Sequence, residues 1–263
     1  MNNDALLINQ IEYSSRLILG TGKYPSNEIM AESIKVSKTS MVTVALRRVD
    51  TNTSHENIIQ YIDTNTVSLL PNTSGAVNAE EAIRLAKLGR SAGLGDLIKL
   101  EITPDPRSLL PDGIETFKAC EVLVKEGFTV MPYINADPIL ARNLEDAGAS
   151  TVMPLGSPIG TNRGLETKES IRLIIENASI PVIVDAGIGA PSHAAEAMEM
   201  GADAVMVNTA IASAKDPIKM SVAFQMAVES GRMAYLSGLG KISTDAIASS
   251  PLTGFLGQVN SNV

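Results

Sequence analysis

Two charged residues interrupt an otherwise apolar run, and a third closes another. Lys99 and Glu101 lie in Asp96-Leu97-Ile98-Lys99-Leu100-Glu101-Ile102-Thr103, and Asp185 follows Pro181-Val182-Ile183-Val184. Side chains alternate along a strand, so Ile98, Leu100 and Ile102 share one face, and Leu97, Lys99 and Glu101 share the other. Lysine and glutamate are seldom buried unless paired, so a pair aimed into a protein interior needs a reason. The chemistry expected is covalent attack by the Lys99 amine on a carbonyl. Only the free amine attacks, and an ordinary pKa of about 10.4 leaves little of it near neutrality. Burial lowers that value and neighbouring carboxylates raise it. Burial is expected to win over part of the cycle, with one of Glu101 and Asp185 protonated as general acid and the other acting as base. The same residues also fit an ion pair without chemistry, and an Asp before Ala-Gly also fits a turn cap.

A second signal is an anion cradle spread over three segments. Gly156-Ser157-Pro158-Ile159-Gly160, Ala186-Gly187-Ile188-Gly189 and Asn208-Thr209-Ala210 each follow an apolar run. Small residues let backbone amides approach a phosphate closely. Arg47-Arg48 and Arg107 could assist or simply be solvated. Cys120 sits in a helical pattern and reads as a core residue. His193 reads as a capping or surface residue, and Met198, Met200, Met220, Met226 and Met233 read as packing.

The elements that must position these groups are eight short aliphatic runs. They lie near residues 16–19, 41–46, 67–70, 97–102, 128–132, 151–154, 181–185 and 204–208. Helical patterns separate them, as in Asn78, an N-cap for the segment from Ala79 with acids in its first turn. Gly127, Gly148 and Gly201 each precede an apolar run ending in Val-Met, a helix stop followed by a strand start. Alternation of this kind gives a single (β/α)8 TIM barrel with a parallel eight-stranded core, whose active face lies at the strands' C-terminal ends. One domain is expected over residues 1–263, with a loosely ordered tail from about 243.

Composition narrows the function. A net charge of −8 with no basic cluster beyond Arg47-Arg48 argues against nucleic acid and against membrane surfaces. One cysteine and two histidines without ligand spacing argue against a metal site. The start Met1-Asn2-Asn3-Asp4 has no signal-peptide character, so a cytoplasmic protein is expected, or a plastid one in an alga or plant.

These motifs resemble the thiazole synthase family of thiamine biosynthesis. The likeness runs through Leu17-Ile18-Leu19-Gly20-Thr21-Gly22-Lys23-Tyr24, Leu70-Pro71-Asn72-Thr73-Ser74-Gly75-Ala76, Ile98-Lys99-Leu100-Glu101 and Met153-Pro154-Leu155-Gly156-Ser157-Pro158-Ile159-Gly160. It continues through Val184-Asp185-Ala186-Gly187-Ile188-Gly189, Val207-Asn208-Thr209-Ala210 and Ala248-Ser249-Ser250-Pro251. The resemblance implies condensation of 1-deoxy-D-xylulose 5-phosphate, dehydroglycine and sulfur, the sulfur arriving as a thiocarboxylate on a small sulfur-carrier protein. It implies an imine on Lys99, acid and base roles for Glu101 and Asp185, and phosphate contacts at Gly160, Ala186, Gly187, Asn208 and Thr209. It further implies no metal or organic cofactor, a separate enzyme supplying dehydroglycine, and a homo-oligomer, with a tetramer expected. From the residues alone, an aldolase-type lyase and a non-enzymatic phosphosugar-binding scaffold stay open.

Overall fold

A computed structural model describes residues 4–46, 58–246 and 249. Arg47-Arg48 and most of the expected C-terminal tail lie outside the described residues. The chain opens with an antiparallel hairpin, β1 (Leu6–Ile8) and β2 (Ile11–Tyr13). Eight parallel strands follow: β3 (Leu17–Gly20), β4 (Met41–Ala45), β5 (Ser68–Asn72), β6 (Leu97–Leu100), β7 (Thr129–Ile134), β8 (Met153–Pro154), β9 (Ile183–Val184) and β10 (Ala204–Val207). Each of the eight apolar runs thus becomes a strand. They pair in the order β8-β7-β6-β5-β4-β3-β10-β9. Parallel bridges Val152↔Val182 and Leu155↔Asp185 join the two ends and close the ring. The helices between strands are α1 (Asn27–Ser37), α2 (Ala79–Ser91), α3 (Gly113–Lys125), α4 (Pro138–Asp146), α5 (Lys168–Asn177), α6 (Pro191–Glu199), the short α7 (Thr209–Ala212) and α8 (Pro217–Ser237).

Local chemistry starts and stops these helices. Asn78 Oδ1 accepts from the Glu81 amide at 2.9 Å, the cap its sequence position predicts. Gly127, Gly148 and Gly201 follow α3, α4 and α6 with φ of +82°, +94° and +100°. After each, the next amide reaches back to a helix carbonyl: Phe128 to Leu123, Ala149 to Leu144, Ala202 to Ala197. This repeated left-handed stop feeds the chain directly into the next strand region.

Alternation along each strand sorts the core. Ile98, Leu100 and Ile102 pack outward with Ala82, Cys120 and Leu123 of the surrounding helices. Inside the barrel, Ile18, Met41, Leu70, Met131, Met153, Ile183 and Met206 form a separate apolar cluster. Leu6, Ile8 and Tyr13 of the hairpin join it and stopper the N-terminal end of the barrel. The hairpin turn, Asn9-Gln10, holds both residues at positive φ, which matches the strand twist. Asp4 pins its start to Arg16 and Arg232.

Of the methionines read as packing, Met198 is fully buried, and Met200 and Met220 pack against the core. Met226 and Met233 do not: both are 62% exposed, because α8 turns its Phe224 and Val228 face inward and these two outward. Among the described residues, no helix is long and apolar enough to cross a membrane.

Candidate active site

At the C-terminal end of the barrel the interior changes from apolar to charged. Lys99 and Asp185 are 2% and 4% exposed, and Lys99 Nζ lies 2.7 Å from Asp185 Oδ2 and 3.3 Å from Glu101 Oε2. All three expected ionisable residues therefore meet on the inner wall. Lys99 is held by the register Asn72↔Lys99↔Met131 across β5, β6 and β7. Glu101 lies one residue beyond β6, where the ladder has ended. Thr73 keeps it aligned: its hydroxyl accepts from the Glu101 amide at 2.9 Å and donates to the Glu101 carbonyl at 2.8 Å. Asp185 is fixed by its backbone amide, which donates to the Pro154 carbonyl.

The electrostatics correct one expectation. Burial pushes the Lys99 amine down, but the charges of Asp185 and Glu101 and their hydrogen bonds outweigh it, so the net direction is up. The resting lysine is an ammonium, and burial alone does not free its amine. Burial also raises the Asp185 carboxyl, which the adjacent Lys99 charge only partly offsets. A carboxyl so raised is a ready acceptor for the proton that Lys99 must lose. One cation between two buried carboxylates leaves an excess negative charge, and a shared proton relieves it.

The trio lines a cavity of about 280 Å3. The expected phosphate contacts, Gly160, Ala186, Gly187, Asn208 and Thr209, line the same cavity, together with Lys23, Thr43 and Asn72. Ala186 and Gly187 are both left-handed, at φ +56° and +78°. Successive residues in such turns form a concave nest of amides that suits an anion. No side chain fits at Gly187, since a Cβ there would lie 2.1 Å from Ser157 Oγ. The loop after β8 is tied to the loop after β9 by the Gly164 amide, which donates to the Gly187 carbonyl at 2.7 Å.

Other sequence candidates fall elsewhere. Arg107 is exposed and pairs with Asp105, outside the cavity. His193 accepts from the Gly189 amide through Nδ1 at 3.2 Å, tying the start of α6 to the loop after β9. Cys120 is fully buried on α3, and burial pushes its thiol up to about 12. Sequence reasoning missed Thr73, whose role appears only once β5 and β6 are paired. It also missed Tyr133, whose ring centroid lies 5.1 Å from Lys99 Nζ and whose hydroxyl is buried without a hydrogen-bond partner. Alternation in Thr129-Val130-Met131-Pro132-Tyr133 was the available signal, since it puts Tyr133 inward with Met131.

Comparison with known proteins decides the family. The model of thiazole biosynthesis protein ThiG matches residues 7–251. The chain belongs to this family. The thiazole synthase of Syntrophobacter fumaroxidans is 62% identical over 251 residues, covering 95% of this chain and 98% of that protein. The thiazole synthase of Acetivibrio thermocellus is 58% identical, covering 97% of this chain and 99% of that one. Among solved structures, the Amycolatopsis orientalis BexX/CysO complex matches with a TM-score of 0.82 at 30% identity, over 91% of this ThiG-family chain and 99% of its own.

Proposed function

We propose that this ThiG-family chain is a thiazole synthase that works through an imine between Lys99 and the ketone of 1-deoxy-D-xylulose 5-phosphate. One observation carries the reading. A buried lysine touches two carboxylates in a cavity that the small-residue loops after β8, β9 and β10 also line.

The chemistry follows from these distances. Asp185, 2.7 Å from Nζ, takes the ammonium proton as the nitrogen attacks the ketone carbon. A C–N bond forms, the carbonyl oxygen takes up protons, and water leaves to give the iminium. The iminium withdraws electrons from the adjacent carbon, and Glu101 removes a proton there, so carbonyl character moves along the sugar. Sulfur then attacks the new carbonyl carbon. It arrives as a thiocarboxylate on the C-terminus of a small sulfur-carrier protein, and dehydroglycine from a separate enzyme completes the ring. Imines hydrolyse, so the docked carrier has a second task in keeping water out. The BexX structure, solved as a complex with CysO, supports a docking role for this barrel. The working enzyme is a homo-oligomer, a tetramer, in the cytoplasm, and no metal or organic cofactor enters these steps.

Reconstitution tests the reading. Purified chain, the sugar phosphate, dehydroglycine and thiocarboxylated carrier should together yield a thiazole phosphate by mass spectrometry, and omission of the carrier should abolish it. Carrier-independent cleavage of a carbon–carbon bond in the sugar would instead make the protein an aldolase-type lyase.

A further inference from the structure

Among the described residues, two basic side chains line the cavity, and their situations differ. Lys99 is committed to Asp185 and Glu101, a trio with two acids to one base. Lys23 has no carboxylate partner among the described residues; its ammonium donates only to Thr209 Oγ1, at 3.3 Å. A phosphate entering the cavity finds no spare positive charge in that trio, and the chain as a whole carries a net charge of −8. Backbone amides offer hydrogen bonds but no full charge. Among the described residues, Lys23 holds the uncommitted positive charge at this cavity.

Its placement fits the task. Nζ lies between Thr209 and Gly160, 3.3 Å from where a Cβ on Gly160 would stand, so it bridges two of the loops that build the amide cradle. Its backbone sits at φ +68°, a conformation unfavourable for a residue with a Cβ. Lys23 shares this with Leu109, Asn162 and Ala186: four of the seven described non-glycine residues with positive φ line this one cavity. Strain of that kind persists where the surroundings enforce it, and it clusters at sites.

We propose that Lys23 is the side chain that binds the substrate phosphate, closing over the cradle as a point charge and making the cavity select phosphorylated ketoses. The ammonium gives up its bond to Thr209 for the phosphate oxygens, a charge-assisted and therefore stronger pairing. The phosphate is thereby anchored in the same cavity as Lys99, which limits where the ketone can stand against the amine. The identity of the sugar rests on the imine reading above; the binding of a phosphate does not.

The test compares Lys23→Gln, which keeps length and loses charge, with Lys23→Arg. Calorimetric titration with inorganic phosphate should show binding to the unaltered protein and a loss of about tenfold or more in Lys23→Gln, substantially restored in Lys23→Arg. Competition between 1-deoxy-D-xylulose 5-phosphate and its dephosphorylated form should show the preference for the phosphorylated ketose narrowed by about the same factor, with the loss in KM and not in kcat. Unchanged phosphate affinity in a folded Lys23→Gln protein overturns the proposal. So does an equal loss against both ketoses, which would mark a structural role. Failure of any imine to form on the unaltered protein would sink the reading of the chemistry, whereas the phosphate titration would still decide the role of Lys23.

Discussion

A lysine between two acids is a balance of charges before it is a nucleophile. Lys99 neutralises one of the two carboxylates it touches, and its own proton is held tightly as a result. Sign follows for stability: a lysine whose folded value is raised contributes fully below its ordinary value of 10.5, and that contribution is lost only as pH rises through the higher folded one. Lys99→Met removes the cation and leaves two buried carboxylates facing each other. The variant should lose about 3 kcal/mol at a pH of about 8, and the deficit should shrink toward a pH of about 5 as a carboxyl takes up a proton. Urea unfolding at the two pH values checks this; a deficit independent of pH would mean that the carboxylates are not coupled through Lys99. The trio was legible in the sequence because charge inside an apolar alternating run has no routine structural explanation. Lys23 was read only as part of a family motif, with no role of its own, for the opposite reason: a lysine in Gly20-Thr21-Gly22-Lys23 looks like any solvated loop residue until Gly160 and Thr209 are folded against it.

Elements were easier to read than their ends. The eight barrel strands are apolar runs bounded by polar loops, and the glycine stops after α3, α4 and α6 mark where three of them begin. The hairpin of β1 and β2 escaped notice because its strands are three residues each and its turn is Asn9-Gln10, without the glycine that usually announces such a turn. Yet it closes the barrel floor, and Asp4 ties it to Arg16 on the approach to β3 and to Arg232 on α8. The Arg232 hydrogen bond, with the charge of Arg16 adding to it, holds the Asp4 carboxyl below its ordinary 3.8. A depressed carboxyl contributes stability above 3.8 and loses it as pH falls through the lower folded value. Asp4→Asn should therefore cost about 1 kcal/mol at neutral pH, and the difference from the unaltered protein should be smaller at a pH of about 3, below the ordinary carboxyl value, and vanish only below the lower folded one. Denaturant unfolding at both values measures it, and a difference that does not shrink in acid would assign the cost to packing of the hairpin instead.

At the scale of the molecule, the barrel does one thing that no segment can do alone. It stacks a charged layer on an apolar one, with Met131, Met153 and Ile183 below and Lys99, Glu101 and Asp185 above. The sequence announced both layers by alternation, but it could not show that Asp185 reaches Lys99, because the two lie on opposite sides of the ring's closing order and meet only across the interior. The loops after β8, β9 and β10 then turn the amide cradle toward the same cavity. The chemistry proposed for this chain requires that the Lys99 nitrogen bond covalently to a ketone inside that enclosure. Borohydride reduction of the protein with 1-deoxy-D-xylulose 5-phosphate, followed by peptide mass spectrometry, tests it most directly. A single adduct located on Lys99 is the predicted result; an unmodified Lys99, or label spread over exposed lysines such as Lys23 and Lys118, would contradict it.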